Sequence, residues 1–196
     1  EKDLCGIPWR VAFALQADGW WLRSDIIWAK PNTMPESVKD RCTRSHEYVF
    51  MLTKSARYFY DARAIAEPAT AATNERDKYV RTGYQKETRD GYVNHLDPNS
   101  GAFRDCHGTR NRRDVWVIPT GQFRGAHFAT MPLELARRCI LAGSRRGDVV
   151  LDPFSGAGTT ALAAVSLGRR AIGVDLSFDY SEMAMQRVAR APRPLL

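Results

Sequence analysis

The sequence predicts an α/β fold, and three observations carry the prediction. Residues 149–175 read as strand, glycine loop, helix, strand and acid in immediate succession. Apolar runs at 20–28, 48–53 and 114–118 have the length and the β-branched or aromatic content of strands, while 4–18 and 133–142 read as helices. Between them, residues 67–113 lose apolar periodicity and read as an irregular insertion. At 196 residues, 44% of them hydrophobic, the chain can bury one sizeable core, so a single domain with an insertion is expected.

In chain order, Ile7, Val11, Ala14 and Leu15 fall at helical spacing, with Pro8 tolerated in a first turn and Gly19 closing the helix. The strand at 20–28 runs into Ala29-Lys30-Pro31-Asn32, where proline stops regular structure. A polar loop over 33–44 follows, and Lys30, Asn32, Lys39, Arg41 and Arg44 gather cations and an amide beside that strand end. Strand ends are where α/β folds bind ligands, although most such loops are plain surface connections. Ser45-His46-Glu47 opens the strand at 48–53, and Tyr58-Phe59-Tyr60-Asp61 reads as core or hairpin packing. The insertion interleaves arginines and lysines with Tyr79, Tyr84, Tyr92 and Phe103, and ends in Arg110-Asn111-Arg112-Arg113. Arginine suits phosphates and guanine edges, so Arg110, Arg112 and Arg113 are candidate nucleic-acid contacts, against the simpler reading of a solvated linker. Pro132 sits at the start of the helix at 133–142, which places Leu135, Cys139 and Ile140 on one face with Gly143 behind it.

The organising stretch is Leu151-Asp152-Pro153-Phe154-Ser155-Gly156-Ala157-Gly158-Thr159-Thr160, followed by Ile172-Gly173-Val174-Asp175. Glycines allow close backbone approach to a ligand. A carboxylate about 20 residues beyond the loop can accept both hydroxyls of a ribose. No lysine follows the glycines, which excludes a phosphate-gripping loop of the Walker type, and the third glycine of G-x-G-x-x-G is missing. A nucleoside without a phosphate fits better, and S-adenosyl-L-methionine is the obvious one. Taken alone, the stretch fits equally an ordinary βαβ turn with Asp175 as a solvated strand end.

The formal net charge of +7 suits a polyanionic partner. Cys5, Cys42, Cys106 and Cys139 are far apart with no C-x-x-C pair, which indicates neither zinc nor a disulfide framework; reduced thiols in a cytoplasm are the simple reading. No signal peptide and no bilayer-length apolar run is present. The chain opens at Glu1 with a motif under way, and a fragment or processed piece is expected.

Five blocks in a fixed order carry a resemblance over nearly the full chain. They are Trp28-Ala29-Lys30-Pro31-Asn32, Ser45-His46-Glu47-Tyr48, His127-Phe128-Ala129-Thr130-Met131-Pro132, the glycine loop and the Asp175 strand. Together they resemble the DNA amino-methyltransferases, which methylate the exocyclic amine of adenine or cytosine, in the permuted branch whose cofactor loop is C-terminal. The resemblance implies a Rossmann-like S-adenosylmethionine-dependent sheet in which a target-recognition insertion (67–113) separates an incomplete catalytic half (1–66) from a cofactor half (114–196). It implies cofactor binding by His127, Phe128, Ala129, Thr130, Asp152, Phe154, Gly156, Gly158, Thr159 and Asp175. It implies DNA contacts from Lys30, Asn32, Arg41, Arg44, Arg110, Arg112 and Arg113, and no metal.

The family's catalytic tetrapeptide, Asp, Ser or Asn followed by Pro-Pro and an aromatic, is absent. Asp97-Pro98-Asn99-Ser100 lacks the second proline and the aromatic, and Asp152-Pro153-Phe154-Ser155 belongs to the cofactor loop. The tetrapeptide is therefore expected upstream of Glu1, with this portion inactive alone. Cys42 stands where similar sequences are expected to carry proline. The expected setting is a bacterial or phage-encoded cytoplasmic enzyme, monomer or dimer, acting on double-stranded DNA beside a cognate restriction endonuclease. A non-catalytic DNA-binding remnant and a nucleotide-dependent oxidoreductase are the rival readings; the missing third glycine weighs against the latter.

Overall fold

The computed structural model describes residues 2–69, 108–121 and 131–191. In chain order the elements are α1 (Ile7–Ala17), β1 (Trp21–Ala29), β2 (His46–Thr53), β3 (Glu67–Pro68), β4 (Thr109–Arg110), β5 (Val115–Val117), α2 (Leu133–Gly143), β6 (Val149–Asp152), α3 (Thr159–Ser166), β7 (Arg170–Gly173) and α4 (Phe178–Ala189). The expected helix at 4–18 begins later, because Gly6 turns left-handed (φ 63°) just before it. Helix α4 was not expected. Ser177 starts it by accepting the Tyr180 N–H at 3.4 Å.

The chain divides into two units, residues 1–61 with 113–196, and residues 62–112. The expected division into 1–66, 67–113 and 114–196 is thus replaced by two parts. The segments flanking the insertion join because β5 pairs with β1 in parallel, Ile27 opposite Val115 through Ala29 opposite Val117. In the smaller unit β3 and β4 form a short antiparallel ladder, Glu67 opposite Arg110 and Pro68 opposite Thr109. The remainder of the insertion, 70–107, lies outside the described residues.

The larger unit contains two sheets. In the first, ordered β2-β1-β5, β1 runs antiparallel to β2 from Trp21 opposite Thr53 to Ala29 opposite His46. Buried Trp28 donates its indole N–H to the Ile118 carbonyl at 2.8 Å, which fixes the exit of β5. Helix α1 brings Trp9 edge-on to Tyr48 and Phe50, with ring centroids 5.3 and 4.8 Å apart. The second sheet is the parallel pair β6-β7, Val149 opposite Arg170 through Asp152 opposite Gly173.

Strand alternation gives the second sheet two faces. Val150 and Ala171 pack onto Ala163 and Ala164 of α3 and onto Ala136 and Ile140 of α2. Leu135 is buried with them on α2, whereas Cys139 lies exposed at the margin of that face. The opposite face of the sheet, with Val149, Leu151 and Ile172, is exposed. Among the described residues no strand joins β6 to β1.

Candidate functional site

The glycine loop leaves β6 at Asp152 and is closed by backbone and carboxylate bonds. The Asp152 side chain accepts the Phe154 N–H at 3.0 Å, an Asx turn that starts the loop. Ser155 donates its N–H to the Val174 carbonyl at 2.9 Å, tying the loop to the end of β7. An added Cβ on Gly173 would meet Ser155 Oγ at 2.5 Å, so glycine is required where loop and strand touch. Gly156 and Gly158 both have positive φ, 48° and 74°. Gly158 then caps α3 and donates to Ser155 O at 2.8 Å, and Thr159, buried, is the first helical residue.

Asp175 is the hub. One carboxylate oxygen accepts the Gly156 N–H at 2.7 Å and the other accepts the Ser177 N–H at 2.9 Å. An ionised carboxylate offers about four lone-pair sites. Asp175 therefore shapes the loop and retains capacity for a diol. Phe154 and Leu176, both almost wholly exposed, stand next to the loop and its acid and offer apolar surface to a flat ring. Left-handed glycines that admit close approach, a carboxylate beside them and apolar side chains nearby fit a nucleoside. The Asp152 carboxylate, expected at the ligand, is committed in part to the Asx turn. His127, Phe128, Ala129 and Thr130 lie outside the described residues.

Sequence reasoning missed the part played by α4. Ala184 is buried against Gly158, and Arg187 Nη1 donates to the Ala157 carbonyl. The available signal was the i, i+3 spacing of Ala184 and Arg187 behind a serine cap.

The expected DNA-facing residues fall into distinct settings. Lys30 and Arg44 line a cavity of about 520 Å³ with His46, Glu47 and Tyr48. Lys30 is ion-paired to Glu47 and sits over the Trp28 ring, 4.5 Å from its centroid. Arg41 is ion-paired to Glu36 at 2.7 Å. Asn32 makes local bonds: its side-chain oxygen accepts the Thr120 N–H at 2.9 Å and its amide donates to the Thr120 carbonyl at 3.5 Å. In the smaller unit Arg110 pairs with Glu67 at 2.9 Å, and Arg112 donates to the carbonyls of Ile65 and Ala66. In the larger unit the Arg113 carbonyl accepts the Trp116 indole N–H at 2.9 Å. Among the described residues no cluster of three or more potential metal ligands occurs.

Comparison with known proteins adds the following. The DNA methylase family profile matches residues 3–186. The Type II methyltransferase M.Cfr9I of Citrobacter freundii is 48% identical over 95% of this chain and 51% of its own length. The Type II methyltransferase M.SmaI of Serratia marcescens is 46% identical over 96% of this chain and 53% of its own. The chain thus spans about half the length of the curated relatives it matches. A DNA modification methylase from Thermus thermophilus, solved in complex with S-adenosyl-L-methionine, is 28% identical with a TM-score of 0.56, covering 95% of this chain and 60% of that one. The cytosine-N4-specific PvuII methyltransferase, at 17% identity and a TM-score of 0.63 over 92% of this chain and 56% of that one, shares the fold.

Proposed function

The chain belongs to the N6/N4 DNA methylase family, and from that premise we propose that its protein transfers a methyl group from S-adenosyl-L-methionine to the exocyclic amine of adenine or cytosine in double-stranded DNA. The observation that carries the reading is the Asp175 hub. Its carboxylate organises the glycine loop and lies where the ribose of a nucleoside cofactor is held in an α/β unit. When bound, S-adenosylmethionine supplies an electrophilic methyl group on its sulfonium. Gly156 and Gly158 admit the cofactor to the backbone, Asp175 accepts its hydroxyls, and Phe154 and Leu176 shield its ring from water. Such positioning is the main contribution a protein makes to an in-line transfer.

The target base has to leave the helical stack before its amine is reachable. Lys30 and Arg44 in their shared cavity, together with Arg41, Arg110, Arg112 and Arg113, are proposed to neutralise phosphates around it. Asn32 is proposed to act beside them while its side chain holds Thr120. The groups that receive the amine belong to a Pro-Pro-aromatic tetrapeptide, which these 196 residues do not contain. The Type II names of the relatives support a setting beside a cognate restriction endonuclease. No described helix is long and apolar enough to cross a membrane.

Calorimetric titration of the full-length protein with S-adenosylmethionine and with nicotinamide dinucleotides tests the reading. Saturable binding of the former alone is expected; binding of a nicotinamide cofactor alone would replace methyl transfer by oxidoreduction.

A further inference from the structure

The glycine loop is flanked by two left-handed residues, Gly156 and Gly158, with Ala157 between them. Glycine populates both signs of φ, so the peptide group joining Ala157 to Gly158 is the weak point of the turn and needs external restraint. Both ends of that peptide group are restrained. Its N–H, on Gly158, donates to Ser155 O at 2.8 Å. Its carbonyl, on Ala157, accepts from Arg187 Nη1 across a sequence separation of 30 residues. Helix α4 comes close enough only because Gly158 lacks a side chain: an added Cβ would lie 2.6 Å from Ala184 Cβ and 2.9 Å from Ala184 Cα. The same helix begins at Ser177, whose N–H is bonded to the carboxylate that also binds Gly156. The loop is thus gripped from α4 twice, near the helix start through Asp175 and one turn from its end through Arg187. Burial also pulls the pKa of Arg187 below its usual value, and the guanidinium remains the cation that this bond uses.

We propose that Arg187 is a positioning residue for cofactor binding: by holding the Ala157 carbonyl it sets the peptide plane on which the left-handed turn at Gly158, and so the cradle for the nucleoside, depends. This rests on the reading of the loop as the S-adenosylmethionine site. It gives α4 a role in affinity for the cofactor, separate from DNA binding and from the chemical step.

The test is a graded series in the full-length protein, Arg187→Lys, Arg187→Gln and Arg187→Met. The series keeps a side-chain stem of similar reach while the donors fall from several to one neutral amide to none. The readouts are the Kd for S-adenosylhomocysteine by calorimetry, KM for S-adenosylmethionine, KM for DNA, kcat at saturating cofactor, and melting temperature. A charge-assisted bond of this kind predicts a rise of about tenfold in the first two values for Arg187→Met, with Gln intermediate and Lys close to the parent. KM for DNA and kcat should stay near the parent's. A flat series in cofactor affinity overturns the proposal, including one in which only the melting temperature falls, because Arg187 then merely stabilises the helix. A parent that binds no S-adenosylhomocysteine overturns the cofactor reading and this proposal with it. A parent that binds, with an Arg187→Met variant that binds equally well, removes the positioning role alone.

Discussion

Asp175 illustrates how one side chain serves structure and ligand together. Its oxygens already accept N–H groups from Gly156 and Ser177, so removing it opens the loop as well as the ribose contact. Asp175→Ala should weaken S-adenosylmethionine binding by about 1.5–3 kcal/mol, the range for a hydrogen bond to a charged group. Asp175→Asn, which keeps one acceptor oxygen, should lose less. Calorimetry on the full-length protein checks both, and unchanged affinity in the alanine variant would remove Asp175 from the site. Gly158 gives a complementary prediction about stability. Alanine there costs about 1–2 kcal/mol for the left-handed conformation alone, and its Cβ would also collide with Ala184. Adding Ala184→Gly should recover the collision part and leave the conformational part, as a denaturant-unfolding cycle would reveal. The glycines and Asp175 were legible in the sequence because strand, loop and acid follow one another at a spacing with a physical meaning. Ser155 against Gly173 and Arg187 on Ala157 were not, because those contacts depend on how the loop folds back.

Among elements, the β6–α3–β7 unit was readable from its apolar runs, whereas α4 escaped. Only Ala184 is buried along α4, and a helix that packs through one small residue shows no apolar stripe. Ser177 as cap and Asp179 in the first turn were the remaining signals. The insertion was legible as a change of composition, yet its short ladder was not, since two-residue strands carry no periodicity. That ladder alters how the arginines are judged: Arg110 is spent partly on Glu67 and Arg112 partly on carbonyls, but a guanidinium has five donors and each can still face a phosphate. Replacing Arg110, Arg112 and Arg113 by alanine should flatten the salt dependence of DNA binding by about one unit of slope for each phosphate that is no longer neutralised. Binding with the parent's affinity and slope would reduce the segment to a linker.

The whole molecule bears open apolar surface that its own described elements do not cover. Strand β1 meets β5 only over Ile27–Ala29 on one edge, and β6 is paired only with β7. Val149, Leu151 and Ile172 remain 47%, 61% and 53% exposed, values at odds with the doubly covered face of a parallel sheet. We propose that a strand carrying the catalytic tetrapeptide sits between β6 and β1, and that residues 1–196 alone self-associate through the open edges. Light scattering should show concentration-dependent association of the isolated chain, and a monodisperse, stable species would argue against a missing central strand. The central claim is that this chain holds the cofactor site while the groups that receive the amine lie outside it. Transfer of tritiated methyl from S-adenosylmethionine to duplex DNA, measured for the full-length protein and for residues 1–196 alone, tests that claim most directly. The full-length protein should label DNA and the isolated chain should not; label incorporated by the isolated chain, or none by the full-length protein, would contradict it.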